Sequence, residues 1–464
     1  MSAYLKRAAV AALVAGSVLH SSSAQAETAP VATPATAQDL SNQIDALRKQ
    51  IDALQAQADE RAATATLDAV VQDADRRSSA PTLQATSTDF TGGYRDGKFT
   101  LQSADGNFSL SPSLQIQVRN TTNISDELAG APGTTTENGF EIRRAKFGFN
   151  GNLYSKDLTY EILFDVPRNT GVTTLQFAWA RYKFSPNWAV RVGQFSDPLG
   201  KEQTGSSRRT LTAERSLLSD LLIGGDNPVQ GASLIYAPAD GKLRGEVAIT
   251  DGNGNLNTNF RDISGTTPDT RPDFGVAGRA EYQILGKKFK GYEDFTALKQ
   301  TDTLLVAGAG VDFTQNGDAD LLTYTVDLQY ENAAGFNAFG AILGRYATEF
   351  NAGTVAAPNF ENANDVGFVL QAGQLVGKWA KAQWEVFGRY DFINLAAERV
   401  ADPFDNQVHE ITVGTNAYWQ GHNVKGTVDV TYLPNGSPIA SDGNGVLQSA
   451  DAQFVLRAQL QLAL

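Results

Sequence analysis

Between Phe140 and Arg215 the sequence carries twelve basic side chains against seven acidic ones, inside a chain whose formal net charge is −13. The basic set includes Arg143, Arg144, Lys146, Arg191 and Lys201, followed by Arg208, Arg209 and Arg215 within one short stretch. Glu214 alone is too little to cancel those last three. Fixed cations along a narrow, water-filled path attract anions and replace part of the hydration they lose on entry. Arginine adds a planar fork that holds two phosphate oxygens at once. The chemistry these residues suit is the selection of small anions. A competing reading pairs the arginines with acids such as Glu141, Asp327, Glu385 and Asp391. The overall acidity would then suit a weakly selective or cation-preferring pore.

Other chemistry has few candidates. There is no cysteine, which excludes disulfide scaffolds, thiolate metal sites and cysteine nucleophiles. Beyond the first twenty residues only His409 and His422 remain, at opposite ends of one predicted strand, so a Ser/His pair lacks support. Asp251-Gly252-Asn253-Gly254-Asn255 alternates oxygen donors but lacks the closing bidentate glutamate of a calcium loop, and reads as a solvated turn. No catalytic residue, metal site or cofactor is expected, and the acidic balance argues against nucleic acid.

The elements that must position these cations follow from the patterning. Lys6 and Arg7, the apolar run Ala8 to Leu19 and Ala24-Gln25-Ala26 read as a secretory leader over 1–26, whose removal takes the formal charge to −15. Leu40, Ile44, Leu47, Ile51 and Leu54 repeat at heptad a/d spacing, which predicts a short periplasmic coiled coil within 27–61. Residues 62–106, rich at first in Ala, Thr, Ser and Asp, read as a flexible linker. An arm of this kind admits a different role for the chain, a structural tether between envelope layers.

From Asn107 to Leu464 the dominant period is two. Phe108, Leu110, Leu114, Ile116 and Val118 alternate with Ser109, Ser111, Ser113, Gln115, Gln117 and Arg119. Sixteen strands are predicted, beginning near residues 107, 139, 158, 172, 188, 229, 243, 273, 303, 320, 336, 365, 382, 408, 422 and 451. An even count, with long connections alternating with short turns, is the rhythm of a membrane barrel. The connection 285–302 is long where this scheme needs a short one, and those before the fourth and tenth strands are short where it needs length. Trp188, Trp379, Trp384 and Trp419 fall at the predicted short turns, as an interfacial girdle requires. The expected fold is all-β, a 16-stranded antiparallel transmembrane barrel with a short N-terminal coiled-coil helix. A barrel this wide encloses water, and its longest connection, about 196–228, is the natural one to fold inward as a constriction.

Arg191-Val192-Gly193-Gln194-Phe195-Ser196-Asp197-Pro198-Leu199-Gly200, with Glu202 and Glu214-Arg215, resembles a conserved stretch of the phosphate-selective porin O and P family. Glu141-Ile142-Arg143-Arg144-Ala145-Lys146, the run Glu410 to Trp419 with His422 to Lys425, and Arg457-Ala458-Gln459-Leu460 agree with it. The resemblance implies a homotrimeric channel in the outer membrane of a Gram-negative bacterium, with an inward third loop and an arginine-lined path for phosphate or pyrophosphate. Carried onto this chain, that path is Arg143, Arg144, Lys146, Arg191, Lys201, Arg208, Arg209 and Arg215. The acidic balance and the final Leu464, where such proteins usually end in Phe, depart from the pattern.

Overall fold

The computed structural model describes Lys49, Ala53, Gln55 and residues 90–95, 98–126, 133, 135–166, 171–253, 273–316, 319–348 and 362–464. The leader and most of the coiled coil lie outside these residues. The chain divides into two units, Met1–Gln84 and Ala85–Leu464, and among the described residues every strand lies in the second.

A hairpin comes first, β1 (Phe90–Arg95) with β2 (Lys98–Ser103). This corrects the linker expectation over 62–106 at its C-terminal end. Lys98 to Ser103 places Phe99 and Leu101 at alternate positions, and the two strands pair from Phe90↔Ser103 to Arg95↔Lys98. Sixteen antiparallel strands follow: β3 (Ser109–Ser125), β4 (Thr135–Asn152), β5 (Leu158–Asp165), β6 (Thr174–Lys183), β7 (Trp188–Ser196), β8 (Pro228–Tyr236), β9 (Leu243–Thr250) and β10 (Phe274–Leu285) in the first half. The second half is β11 (Leu304–Asn316), β12 (Ala319–Glu331), β13 (Phe336–Ala347), β14 (Ala363–Trp379), β15 (Ala382–Asn394), β16 (Gln407–Tyr418), β17 (Val424–Leu433) and β18 (Gln453–Ala463). Each pairs with its sequence neighbour, and β18 closes the barrel on β3 from Gln453↔Ser125 to Ala463↔Gln115.

The pleat is inside out relative to a water-soluble sheet. Along β18, Gln453, Arg457, Gln459 and Gln461 are buried, while Phe454, Leu456, Leu460 and Leu462 are exposed. Val326, Leu370 and Val413 are each more than half exposed at mid-strand, whereas Arg119 and Arg457 are fully buried. Such an exterior is favourable only against hydrocarbon, with the polar faces turned to the lumen. The girdle follows the same logic: Trp379 and Trp384 lie with ring centres 5.4 Å apart, and Trp188 packs on Tyr236 at 4.9 Å.

Long connections collect at one rim (197–227, 251–273, 348–362, 395–406, 434–452) and short ones at the other (184–187, 332–335, 380–381, 419–423). The connections 166–173 and 317–318 are short for their rim, and 286–303 is long for its own. In that turn Lys287, Lys288 and Lys290 stay at the surface, with Lys288 2.8 Å from Asp240. Between and after them Phe289, Tyr292 and Phe295 are buried.

The connection 197–227 crosses the interior. It carries one short turn of helix, α1 (Lys201–Thr204), and α2 (Leu217–Ile223). Ser216 caps α2 by accepting from the Ser219 amide, and Gly224 ends it at φ 90°, a left-handed conformation that glycine takes without a Cβ penalty. Leu217, Leu218 and Leu222 join a core with Phe339, Leu343, Val369, Phe387 and Ile393 of β13–β15. This apolar inward patch seats the loop against one wall and leaves the opposite wall, β5–β9, open. A Cβ on Gly310 of β11 would collide with the Leu199 carbonyl, so the wall approaches the loop as closely as a backbone allows.

Candidate permeation pathway

Three adjoining cavities run down the open wall. The first, about 240 Å³, lies among Arg143, Arg144, Lys146, Glu214, Arg215 and Asp226. A second of about 350 Å³ shares Lys146 and Asp226 with it and adds Glu161, Trp179, Arg191, Arg208 and Glu246. The third, about 550 Å³, shares Trp179, Arg191 and Arg208 and adds Arg181, Lys201, Arg209, Arg244, Arg279 and Tyr292. Together eleven basic and eight acidic side chains line the path.

The eight residues singled out by sequence all lie on this path, in different states. Glu214 of the loop accepts from Arg144 Nη2 at 2.7 Å, from Arg143 Nε at 2.6 Å and from Arg119. Burial alone would raise the Glu214 carboxyl, but Arg143, Arg144 and Arg119 hold it well below the usual carboxylate range. Lys146 donates to Asp226 at 3.0 Å, and Arg215 pairs with the same carboxylate. Arg215 also donates to the main-chain oxygens of Glu202, at 2.7 Å, and Gly205, at 2.8 Å, so it braces the loop from within. Arg191 pairs with Glu246, its guanidinium 3.9 Å from the centre of the Phe195 ring.

The trio Arg208, Arg209 and Arg215 is not one cluster around Glu214, as its spacing suggested. Arg209 turns to Asp294 of the inward turn at 2.8 Å, and Arg215 faces Asp226. Arg208 has no side-chain carboxylate partner among the described residues and donates to an oxygen of Leu464 at 2.9 Å. The loop reverses direction through these residues, which spacing along the chain cannot reveal.

Several functional residues lie outside the eight singled out by sequence. Arg181 lines the third cavity, and its Nε is buried without a hydrogen-bond partner. Arg279 is locked by Asp327 at 2.7 Å and Glu281 at 2.8 Å, and Arg244 by Glu281. The wall acids named above behave individually: Asp327 neutralises Arg279, while Glu385 is satisfied by Tyr418, Asn416, Asn337 and Thr296 without any arginine. Only the register identifies which acid each arginine meets.

Lys201 joins the loop to the inward turn. Its ammonium donates to the Tyr292 carbonyl and lies 4.1 Å from the Tyr292 ring centre and 5.2 Å from that of Phe295. Burial pushes it down to about 8, with Glu281 opposing the shift. Raising the pH through about 8 therefore removes a cation from the third cavity, and anion preference should fall across that window. The folded-state value lies below the ordinary 10.5, so between the two the unfolded chain binds the extra proton and folded stability rises with pH, opposite to selectivity. Reversal potentials at pH 7 and 9 check this, and Lys201→Met should flatten the response.

The barrel, its apolar exterior and its polar lumen narrowed by an inward loop define an outer-membrane porin, a channel protein. The sequence model of the family described as phosphate-selective porin O and P matches residues 116–321, in agreement with the motif resemblance. A protein of Aquifex aeolicus (strain VF5), described as uncharacterized, is 25% identical over 265 residues, 56% of this chain and 63% of that protein. The chain thus spans less than two thirds of that relative's length. An anion-selective porin from Comamonas acidovorans shares the fold at 13% identity and TM-score 0.50, over 76% of this chain and 99% of its own. OmpF of Salmonella typhi, solved in complex with daunomycin, aligns over 80% of this chain and 100% of its own at 14% identity and TM-score 0.49.

Proposed function

We propose that this porin passes small anions in preference to cations, with phosphate or pyrophosphate as the favoured solutes, and that it assembles as a homotrimer. One observation carries the anion reading: in the third cavity Arg181 and Arg208 have no side-chain carboxylate partner among the described residues, whereas the acids lining that cavity, Glu246, Glu281 and Glu293, each meet an arginine. Unpaired cations in a narrow wet cavity set the sign of the local potential, and compensated pairs contribute little to it. Arg143, Arg144, Lys146 and Arg215 hold the loop in place, and Arg181, Arg191, Lys201, Arg208 and Arg209 face the solute. The trimer rests on the family resemblance, as does the placement of the 27–61 coiled coil in the periplasm.

The test is the zero-current potential of the purified protein in a planar bilayer under a potassium chloride gradient, repeated with millimolar phosphate. An anion-favouring potential and partial block by phosphate are expected. Replacing Arg181 and Arg208 together with Gln should lower the anion-to-cation permeability ratio by about fivefold or more. A cation-favouring potential in the parent protein overturns the reading.

A further inference from the structure

The lumen face of a porin strand is normally polar, and β5–β6 break that rule. Cross-strand pairing of Glu161 with Trp179 and of Leu163 with Phe177 puts these four side chains on one face. That face is the lumen, because the Trp179 indole donates to Glu161 at 3.1 Å and both line the second cavity with Arg191 and Arg208. Leu163 lies over Gly148 of β4, with Cδ1 3.1 Å from where a Cβ would stand, so the glycine makes room for it. Leu163, Phe177 and Trp179 are only half-buried, and they form an apolar wall in a water-filled path.

The charges of this cavity are balanced. Glu161, Asp226 and Glu246 stand against Lys146, Arg191 and Arg208, and Asp226 and Glu246 are already paired with Lys146 and Arg191. Arg208 is left as the cation without a side-chain carboxylate among the described residues, one of its N–H groups meeting an oxygen of Leu464. One available guanidinium among three carboxylates favours a single negative charge over a multiply charged ion. An inorganic anion gains nothing from an apolar wall, whereas a ring laid on Trp179 and Phe177 removes both surfaces from water. We propose that the second cavity is a station for small aromatic monocarboxylates, the carboxylate on Arg208 and the ring against Trp179, Phe177 and Leu163. The inference rests on the anion preference proposed above, not on the phosphate preference, and adds a solute class to it.

The experiment titrates current block of the full-length protein in planar bilayers at neutral pH with benzoate, acetate and inorganic phosphate. Benzoate should reach half-block at about one tenth of the acetate concentration. Trp179→Gln, which keeps a donor for Glu161, should move the benzoate value about tenfold toward that of acetate, and Phe177→Gln should shift it in the same direction by less. Phe177→Gln carries the test alone where Trp179→Gln fails to give a folded barrel. An anion-favouring potential with equal block by benzoate and acetate overturns this station and leaves the anion porin standing. Strong benzoate block without phosphate block supports the station and overturns the phosphate preference. A cation-favouring potential overturns both.

Discussion

Replacing Glu214 with Gln is expected to destabilise the folded barrel by about 3–5 kcal/mol, the usual cost of removing one partner from a buried ionic node. Glu214 is almost fully buried and accepts from three arginines, Arg119, Arg143 and Arg144, two of which are themselves buried. A neutral amide leaves three guanidinium groups facing a group that no longer compensates them. Arg119 retains Gln459 at 3.0 Å and the Gly443 carbonyl at 2.7 Å, and Arg144 retains Gln117 at 2.8 Å. Arg143 loses the donation described above, so the loop segment 213–216 should detach from β3–β4 first. The effect is read by urea titration of the protein refolded into lipid vesicles, followed by tryptophan fluorescence. Anion preference should rise in the same variant, because positive charge is uncovered beside the first cavity. An unchanged midpoint would falsify the assignment of Glu214 as the anchor of the loop.

The second large effect concerns the inward turn. Replacing residues 287–302 with a short turn of the kind found at 332–335 should raise single-channel conductance about twofold or more, since it opens cross-section where the path is narrow. This turn is held by the channel's own cations. Lys201 meets the Tyr292 carbonyl and ring, Arg209 meets Asp294, and Arg279 donates to the Tyr292 hydroxyl at 3.0 Å. Arg244 lies 4.4 Å from the Phe289 ring centre and 4.9 Å from that of Tyr292. Excision releases these cations to the lumen, so anion preference should increase together with conductance. Thr296 and Asp294 also bond to Glu385 of β15, at 2.9 Å, and Gln329 of β12, at 2.6 Å, so the turn leans along the wall β12–β15. A variant with unchanged conductance would show that the turn lies outside the limiting section.

Much of the barrel was legible in the chain. All sixteen barrel strands begin within four residues of their predicted starts. Both departures from the alternation of long and short connections, at 286–303 and at 166–173 with 317–318, were visible as irregularities of spacing. What the inward turn does was not visible. Phe289, Tyr292 and Phe295 carry no periodic signal, and their burial depends on cations of β9, β10 and the crossing loop. The lumen-facing Leu163, Phe177 and Trp179 were hidden for a related reason. A bulge between Leu163 and Phe164 shifts the pairing of β5 with β6, and a one-residue shift reverses which side chains face inward.

By itself the sequence determined the number of barrel strands, their pleat, the rim at which each connection lies, and the concentration of cations in one segment. These are local properties, because inside–outside alternation and turn chemistry are set by neighbours along the chain. Only the tertiary structure decided which cations are free. Arg143 and Arg144 are neutralised by an acid some seventy residues away, Arg209 by one 85 residues away, and Arg208 by no acidic side chain among the described residues. Charge compensation acts through space over a few ångströms, and the loop's path across the lumen sets those distances.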